Sequence, residues 1–220
     1  MTAVQTAIAR GKAGTIDVLS TPLELNERQL GVKTEVLRNF VSVPLPGTVR
    51  LILFRSPVVE DASIFALRLA LTQFGHSPVA LVAGDLAKSQ GTVHIRILAW
   101  NHMGDIPIAQ NSNSINSGDF SKLVFNDMSH SWWTVRRHIE ATVTPPVHIK
   151  KDEIWGLYFA EDLPTISTIR DPSLPNSMIV TKKFTSTLGD FNSLLQAGGF
   201  DVPKNEFISG GPPVMNIVVR

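Results

Sequence analysis

Three pairs of adjacent carboxylates are the residues that could most readily supply acid–base chemistry. They are Glu60-Asp61, Asp152-Glu153 and Glu161-Asp162. A glycosidase needs two carboxylates that face each other across a cleft, whereas neighbouring residues on a strand point to opposite faces of the sheet. We therefore interpret these pairs as solvated charges beside turns. A β-sandwich hydrolase that uses Asp85, Glu161 or Asp162 stays as a less favoured alternative.

Ser77, in the segment GHSPV, is a second possible source of chemistry, as a nucleophile. A nucleophile elbow follows the pattern G-x-S-x-G, in which the second glycine lets a strand turn sharply into a helix. Here Pro78 follows the serine and Val79 takes the place of that glycine. We therefore interpret the segment as a hairpin turn that joins two strands.

The six histidines form no compact ligand set, since the sequence has no H-E-x-x-H motif. It also lacks the glycine patterns that bind phosphates or dinucleotides. The absence of cysteine excludes disulfides, thiolate metal sites and a cysteine nucleophile. The sequence thus predicts a protein that is not an enzyme and that uses no metal or other cofactor.

The segment SHSWWTVRRHIEATV combines aromatic and basic side chains and could bind a polyanion. On a strand, Trp132, Arg136 and His138 would share one face, while Trp133 and Arg137 would share the other. Such a face could stack on nucleic acid or contact the acidic edge of a partner. Alternatively, the indoles fill the core and the arginines stack on aromatic surface. We favour the second interpretation and keep Arg136, Arg137 and His138 as candidate RNA contacts.

Two further candidate RNA contacts, Arg10 and Lys12, lie in the small-residue-rich N-terminal segment 1–14. We interpret this segment as an arm that orders against another subunit and that is too weakly basic to condense much RNA. The four tryptophans are candidates for an interface with a partner: Trp100, Trp132, Trp133 and Trp155. A glycan-binding protein would use such aromatic side chains on its surface.

The overall charge and hydropathy limit the classes of partner. A formal net charge of +1 is not that of a protein that holds nucleic acid by bulk electrostatics, so any polyanion contact is local. No stretch approaches the ~20 apolar residues that span a bilayer, and the N-terminus lacks the apolar run of a signal peptide. The sequence therefore predicts a soluble intracellular protein without a membrane partner.

Prolines and glycines are spread along the whole chain. They must separate the strands and helices that position the candidate functional residues. They divide the chain into short apolar segments at intervals of roughly 8 to 15 residues, the spacing of an all-β sandwich or barrel. We predict strands at 14–20, 35–43, 47–54, 63–74, 78–84, 91–100, 120–126, 131–143, 154–160, 177–186 and 213–219. A length of 220 residues suits one large all-β domain with a full core.

In three segments, the order of apolar and polar residues also predicts which face of the element is buried. Residues 91–100 alternate strictly, which predicts a half-buried strand whose inward face carries Val93, Ile95, Ile97 and Ala99. The consecutive apolar residues of TVRLILF predict a strand that is covered on both faces. In LGDFNSLLQAGG, Phe191, Leu194 and Leu195 share one face before a Gly-Gly pair, which predicts a short helix with a glycine C-cap.

Three stretches resemble the small coat proteins of picorna-like plant viruses, the comovirus and cheravirus group. EVLRNFVSVPLPGTVRLILF at 35–54 is similar to their strand pair, in which V-L-R is followed by Gly-Thr-Ile/Val and an alternating strand. SGDFSKLVFNDMSHSWWTVRRHIEATV is similar to later strands, one of which opens with an aromatic pair. DEIWGLYFAEDLP is similar to their last strand. The resemblance covers about residues 20–165.

The resemblance implies an eight-stranded antiparallel jelly-roll sandwich with short flanking helices. The arm would be 1–14, and a single domain would span 15–220 with a C-terminal extension from about 165. It implies assembly with other capsid subunits into an icosahedral shell around viral genomic RNA, hence a location in the virion and in the host cytoplasm during assembly. It brings no catalytic residues. A plant virus movement protein and a carbohydrate-binding β-sandwich are the alternatives.

Overall fold

The apolar segments between prolines and glycines form strands in the computed structural model. The structure describes residues 23–32, 42–44, 49–71, 78–87, 90–102, 118–128, 136–163, 167–169, 174–181, 188–213 and 215–220. Within these ranges the strands are β1 (Arg28–Gly31), β2 (Ser42–Pro44), β3 (Val49–Phe54), β4 (Ala62–Leu71), β5 (Pro78–Asp85), β6 (Thr92–His102), β7 (Gly118–Met128), β8 (Arg136–Ile149), β9 (Glu153–Leu163), β10 (Ser167–Ile169), β11 (Ser177–Thr181), β12 (Gly199–Pro203), β13 (Ile208–Gly210) and β14 (Met215–Val219). The helix α1 spans Phe191–Ala197, and a 3-10 helix spans Lys204–Glu206.

The strands form one large sheet and one small sheet. The large sheet has the order β1-β14-β4-β8-β7-β6-β5-β9-β3-β11-β13, with β12 paired to β6, and the small sheet pairs β10 with β2. The described pairings are antiparallel except for the short parallel contact of β6 with β7. The prediction of an all-β sandwich is confirmed. The described residues contain fourteen strands, more than the eight that the resemblance implies.

Several strands that follow residue 165 pair within the large sheet. β11 pairs with β3, and β14 lies between β1 and β4. All five residues of β14 are buried. These strands follow the last strand of the resemblance, so the predicted boundary at about 165 does not mark an end of the folded sheet.

A cluster that we name the inner core is shared by strands from distant places in the sheet order. Its residues in the strands are Val49, Ile52, Phe54, Ala62, Ile64, Leu67, Val79, Leu81, Ala83, Leu98, Ala99, Val143, Val147, Ile149, Trp155, Leu157, Phe159, Ile179, Met215, Ile217 and Val219. Because β14 and β4 share this cluster with β3 and β9, the sheet folds over itself into two layers.

A second cluster, the outer core, covers the opposite face of β3, β9, β5 and β6. Its residues are Leu51, Leu53, Ala80, Val82, Val93, Ile95, Ile97, Trp100, Ile154, Tyr158, Val180, Phe191, Leu195 and Val202. The covering elements are α1, which contributes Phe191 and Leu195, and β12, which contributes Val202. In β3, Leu51 and Leu53 face the outer core while alternate residues face the inner core. The prediction that TVRLILF is covered on both faces is therefore confirmed.

The helix α1 has the glycine C-cap that the sequence predicts and, in addition, an aspartate N-cap. The Asp190 side chain accepts a hydrogen bond from the backbone N–H of Ser193 at 3.2 Å, which is an N-cap. Gly198 adopts a left-handed conformation with φ of 73° and donates its N–H to the Leu195 carbonyl. Phe191 and Leu195 are buried, so the predicted apolar face is the one that packs on the sheet.

A β-bulge in β6 places one residue, Ala99, on the face opposite to the predicted one. Leu81 pairs with Ala99 while the next residue on β5, Val82, pairs with Ile97, so Leu98 is an extra residue. The extra residue reverses the alternation, which places Ala99 in the inner core although Ile97 faces the outer core. The prediction that Ala99 shares a face with Val93, Ile95 and Ile97 is therefore wrong.

Candidate functional site

Part of the aromatic and basic cluster lies on a central strand. Arg136, Arg137 and His138 open β8, which pairs with β4 on one side and β7 on the other. The strand is therefore not an open edge at these positions. The other members of the predicted set fall outside the described residues: Arg10, Lys12, Trp132 and Trp133. The assignment of these residues to RNA or to an interface stays a prediction.

Trp100 and Trp155 are core residues, which corrects their interpretation as interface or glycan-binding side chains. Trp155 is 1% exposed and stacks on Phe54, with the ring centroids 5.7 Å apart. Trp100 is 3% exposed and meets Phe191 edge to face at a centroid distance of 6.1 Å. Both indoles fill the sandwich because the two cores require large apolar side chains, so neither offers surface to a ligand.

The structure describes the surroundings of only one of the candidate catalytic side chains, that of Asp85. Asp85 Oδ1 accepts a hydrogen bond from the backbone N–H of Ala87 at 2.9 Å, which fixes the turn after β5. Glu161 and Asp162 are consecutive residues of β9, and Ser77 lies outside the described ranges. Within the part of the chain that the structure describes, no three histidine or acidic side chains form a group that could hold a metal ion.

Tyr158 is a buried phenol in the outer core. Its ring stacks on Phe191 at a centroid distance of 5.6 Å, and Arg50 Nη2 donates to its hydroxyl at 3.5 Å. Burial raises the pKa of Tyr158 above its ordinary value of 10.0, and the charge and hydrogen bond of Arg50 lower it in part. The phenol is therefore neutral at physiological pH and acts in packing rather than as a nucleophile.

A partly buried ion pair ties three strands together at one end of the sandwich. Arg96 of β6 donates to both carboxylate oxygens of Glu153, from Nε at 3.2 Å and from Nη2 at 2.8 Å. Nη2 also donates to the His148 carbonyl at 3.0 Å, and the Lys150 N–H donates to Glu153 at 2.8 Å. The planar guanidinium thereby joins β6, β8 and β9 with a geometry that lysine could not reproduce.

We expect Arg96→Ala to lower the free energy of unfolding by about 2 kcal/mol, because it leaves a buried carboxylate without its cation. Urea unfolding followed by circular dichroism measures the effect. Arg55→Ala, which removes an exposed arginine, is the matched control and should change stability by no more than about 0.5 kcal/mol. Equal effects of the two variants would contradict a structural role for the Arg96–Glu153 pair.

Three large apolar side chains of the described residues are exposed. Leu25 is 90% exposed, Val59 is 75% exposed and Leu23 is 41% exposed. Leu23 and Leu25 precede β1, and Val59 lies in the loop between β3 and β4. An ion pair between Arg28 and Glu60 joins these two segments.

Charged residues adjoin the exposed apolar residues in the sequence. Arg220, which follows β14, contacts the carboxylates of Glu24 and Glu27, the second at 2.9 Å. The sequence motifs pointed to Glu60 only, as a possible acid–base residue, and to none of the others. A signal was nevertheless present, because LELNER places a leucine among charged residues at a turn, where glycine, asparagine or proline is usual.

The chain is an all-β sandwich with a few exposed apolar side chains and no group of side chains among the described residues that could hold a metal ion. The described helices are too short to cross a bilayer. No family model, no curated protein and no solved structure matches the chain.

Proposed function

We propose that the chain is a viral capsid subunit with a jelly-roll fold, which assembles with other subunits around RNA. The observation that carries the proposal is the strand order. The eight jelly-roll strands would be β1, β3, β4, β5, β6, β8, β9 and β14. In a jelly roll of strands 1 to 8, the two sheets have the orders 1-8-3-6 and 2-7-4-5, and the orders β1-β14-β4-β8 and β3-β9-β5-β6 correspond to these.

The remaining elements are additions to that framework in this proposal. β7 lies between β8 and β6, and β11 and β13 extend the sheet beyond β3. The helix α1 and β12 cover the outer core. Jelly rolls occur in lectins and cupins as well as in capsids, so the fold alone does not select a function.

Two observations favour a capsid subunit over a carbohydrate-binding sandwich. Trp100 and Trp155, which would stack on a sugar if they were exposed, are buried. The sequence resemblance at 35–54 points to coat proteins and includes β3. The partners proposed are therefore other capsid subunits and viral genomic RNA. The candidate RNA contacts remain Arg10, Lys12, Arg136, Arg137 and His138.

The proposal predicts that the purified chain, mixed with its sister coat proteins and single-stranded RNA, forms closed particles. Negative-stain microscopy and sedimentation velocity detect them. A chain that stays monomeric under all these conditions would count against a capsid role. Binding of single-stranded RNA without particles would instead favour a movement protein, and hits on a glycan array would favour a carbohydrate-binding protein.

The salt dependence of RNA binding shows whether two cations or many more contact the phosphates. Two phosphate contacts from Arg10 and Lys12 give a slope of log K against log salt with magnitude of at most ~2. A much steeper slope would show that further cations, such as Arg136 and Arg137, contact the RNA.

A further inference from the structure

The register of β8 divides three of the candidate RNA contacts between two faces of the sheet. Val143 of β8 belongs to the inner core. The pairing of β8 with β7 shows no shift between residues 136 and 142 of β8. Because successive residues of a strand alternate between faces, Arg137 lies on the inner-core side, whereas Arg136 and His138 lie on the opposite side. We name the side of β4, β8 and β7 that carries Arg136 and His138 the back face.

The inner-core side already provides a carboxylate for Arg137. Arg137 lies directly opposite Asp127 of β7 and, on its other side, opposite Leu71 of β4. Opposite charges at directly opposed positions of neighbouring strands attract each other, so this cation is compensated within the sheet. The next row on the same side is apolar, with Ile139 opposite Phe125. Arg137 therefore has a role within the sheet that does not need RNA.

The back face carries more basic than acidic residues on the described parts of β4, β8 and β7. Glu140 of β8 lies opposite Arg68 of β4, so the charges of this row balance. The same face holds a second acidic residue, Asp119, opposite Thr144. The basic residues at the back-face positions of these strands are Arg68, Lys122, Arg136 and His138.

The excess of basic residues lies at the start of β8. Arg136 is opposite Met128 of β7, and His138 is opposite Asn126, so both partners in register are neutral. These two rows are about 7 Å apart, the length of two strand residues. Towards β14 the back face is closed, since Asn216 is 0% exposed. A ligand of this face is therefore confined to β8 and β7.

The other outer side of the sandwich has the opposite charge. There α1 and β12 cover the outer core. Residues 188–207, which contain both elements, carry three carboxylates and one lysine: Asp190, Asp201, Glu206 and Lys204. Asp190 and Asp201 are exposed. A side with an excess of carboxylates repels phosphate, whereas the start of β8 attracts it.

We infer that the back face at the start of β8 contacts single-stranded RNA through Arg136 and His138, and that the side covered by α1 and β12 faces away from the RNA. The inference rests on the proposed function, which supplies RNA as the partner. It adds which surface of the subunit faces the packaged RNA, and it removes Arg137 from the candidate contacts.

The salt dependence of single variants tests the residues. The full chain is titrated into a short labelled oligouridylate at several salt concentrations, and fluorescence anisotropy measures binding. Arg136→Ala should reduce the magnitude of the salt slope by about 0.7, the value for one phosphate contact with a single strand. Arg136→Lys keeps the charge and should have the slope of the unmodified chain. Circular dichroism checks that each variant is folded.

Arg137→Ala is the matched control, because it removes the same charge from the adjacent residue. It should leave the salt slope unchanged and lower the Tm, since Asp127 loses the cation opposite it. A slope that Arg137→Ala reduces as much as Arg136→Ala does would overturn the inference. A slope that Arg136→Ala leaves unchanged would overturn it too.

The absence of cysteine from the sequence permits a second test that leaves every cation in place. Asn126→Cys puts a single thiol on the back face, and Asn192→Cys puts one on the exposed surface of α1. Oligouridylate should slow the maleimide labelling of the Asn126→Cys chain severalfold and leave that of the Asn192→Cys chain unchanged.

Three results of the labelling test would contradict the inference. The first is protection of the Asn192→Cys chain in place of the Asn126→Cys chain. The second is an Asn126→Cys chain whose thiol does not react even without RNA, because the back face is then closed to any ligand. The third is equal protection by polyglutamate at the same salt concentration, because the partner is then an acidic protein.

The contact and the capsid proposal can fail separately. Protection of the Asn126→Cys chain by RNA, in a chain that never forms particles, would support the contact and count against the capsid proposal. Closed particles that package RNA equally well when built from chains with both Arg136→Ala and His138→Ala would overturn the contact and leave the capsid proposal standing.

Discussion

Gly156→Ala is expected to lower the free energy of unfolding by about 3 kcal/mol or more, one of the two largest effects predicted for this chain. Gly156 lies in β9 directly opposite Leu53 of β3. A Cβ at this position would be 2.0 Å from the Ile52 carbonyl oxygen and 2.8 Å from the Leu53 Cα. Both are backbone atoms of a paired strand, so no side-chain rotation can relieve the clash and the strands must separate.

Thermal unfolding measures this effect, with an expected decrease in Tm of roughly 10 °C for a domain of this size. Gly91→Ala is the matched control, because no atom lies within 4 Å of a Cβ built at Gly91. It should leave the Tm nearly unchanged. A Gly156→Ala protein as stable as the Gly91→Ala protein would show that β3 and β9 are not paired in this register.

Trp155→Ala is expected to lower the free energy of unfolding by about 3–5 kcal/mol, because it opens a cavity in the inner core. The indole is 1% exposed and stacks on Phe54. Its Cζ2 also lies 2.9 Å from the position of a Cβ at Gly31, so β1 packs directly on the ring. Denaturant unfolding at a protein concentration that keeps the chain monomeric measures the loss.

Trp155→Phe is the matched variant, since it keeps an aromatic ring against Phe54 and should cost about 1–2 kcal/mol. The result separates a core tryptophan from an interface tryptophan. An interface side chain changes association and leaves the unfolding of the monomer nearly unchanged. Unaltered monomer stability in Trp155→Ala would contradict the burial of this residue.

The sequence predicts those elements whose local pattern and tertiary environment agree. The long strands β4, β5, β6, β8 and β9 overlap predicted segments, and α1 has its predicted glycine C-cap. In each of these elements, the apolar periodicity or the capping residue depends only on residues a few positions away in the sequence. The predicted strand at 14–20 lies outside the described residues, as does most of the one at 35–43.

The missed strands are short and depend on partners that are distant in sequence. β1, β10, β12 and β13 have three to five residues each. Such segments are too short to show an alternation, and β12 forms because its residues pair with β6 and cover the outer core. The bulge at Leu98 was missed for a related reason, since only the register with β5 reveals an extra residue.

The candidate site was predicted poorly because the sequence draws attention to large aromatic side chains. Trp100 and Trp155 look suited to binding, yet a sandwich with two apolar cores uses them internally. The exposed positions of Leu25 and Val59 follow from the anchoring of Glu24, Glu27 and Val58 by residues far along the chain. No local pattern encodes such anchoring.

The place of β14 in the sheet has a consequence for the synthesis of the protein. This strand separates β1 from β4, and Arg220 meets Glu27 across 193 residues of sequence. During translation, β1 therefore emerges from the ribosome long before the strand that it pairs with, and the inner core stays open until residues 215–219 follow. We therefore expect the β1–β14–β4 part of the sheet to form only after residues 215–219 have emerged, with the facing edges of β1 and β4 unpaired until then.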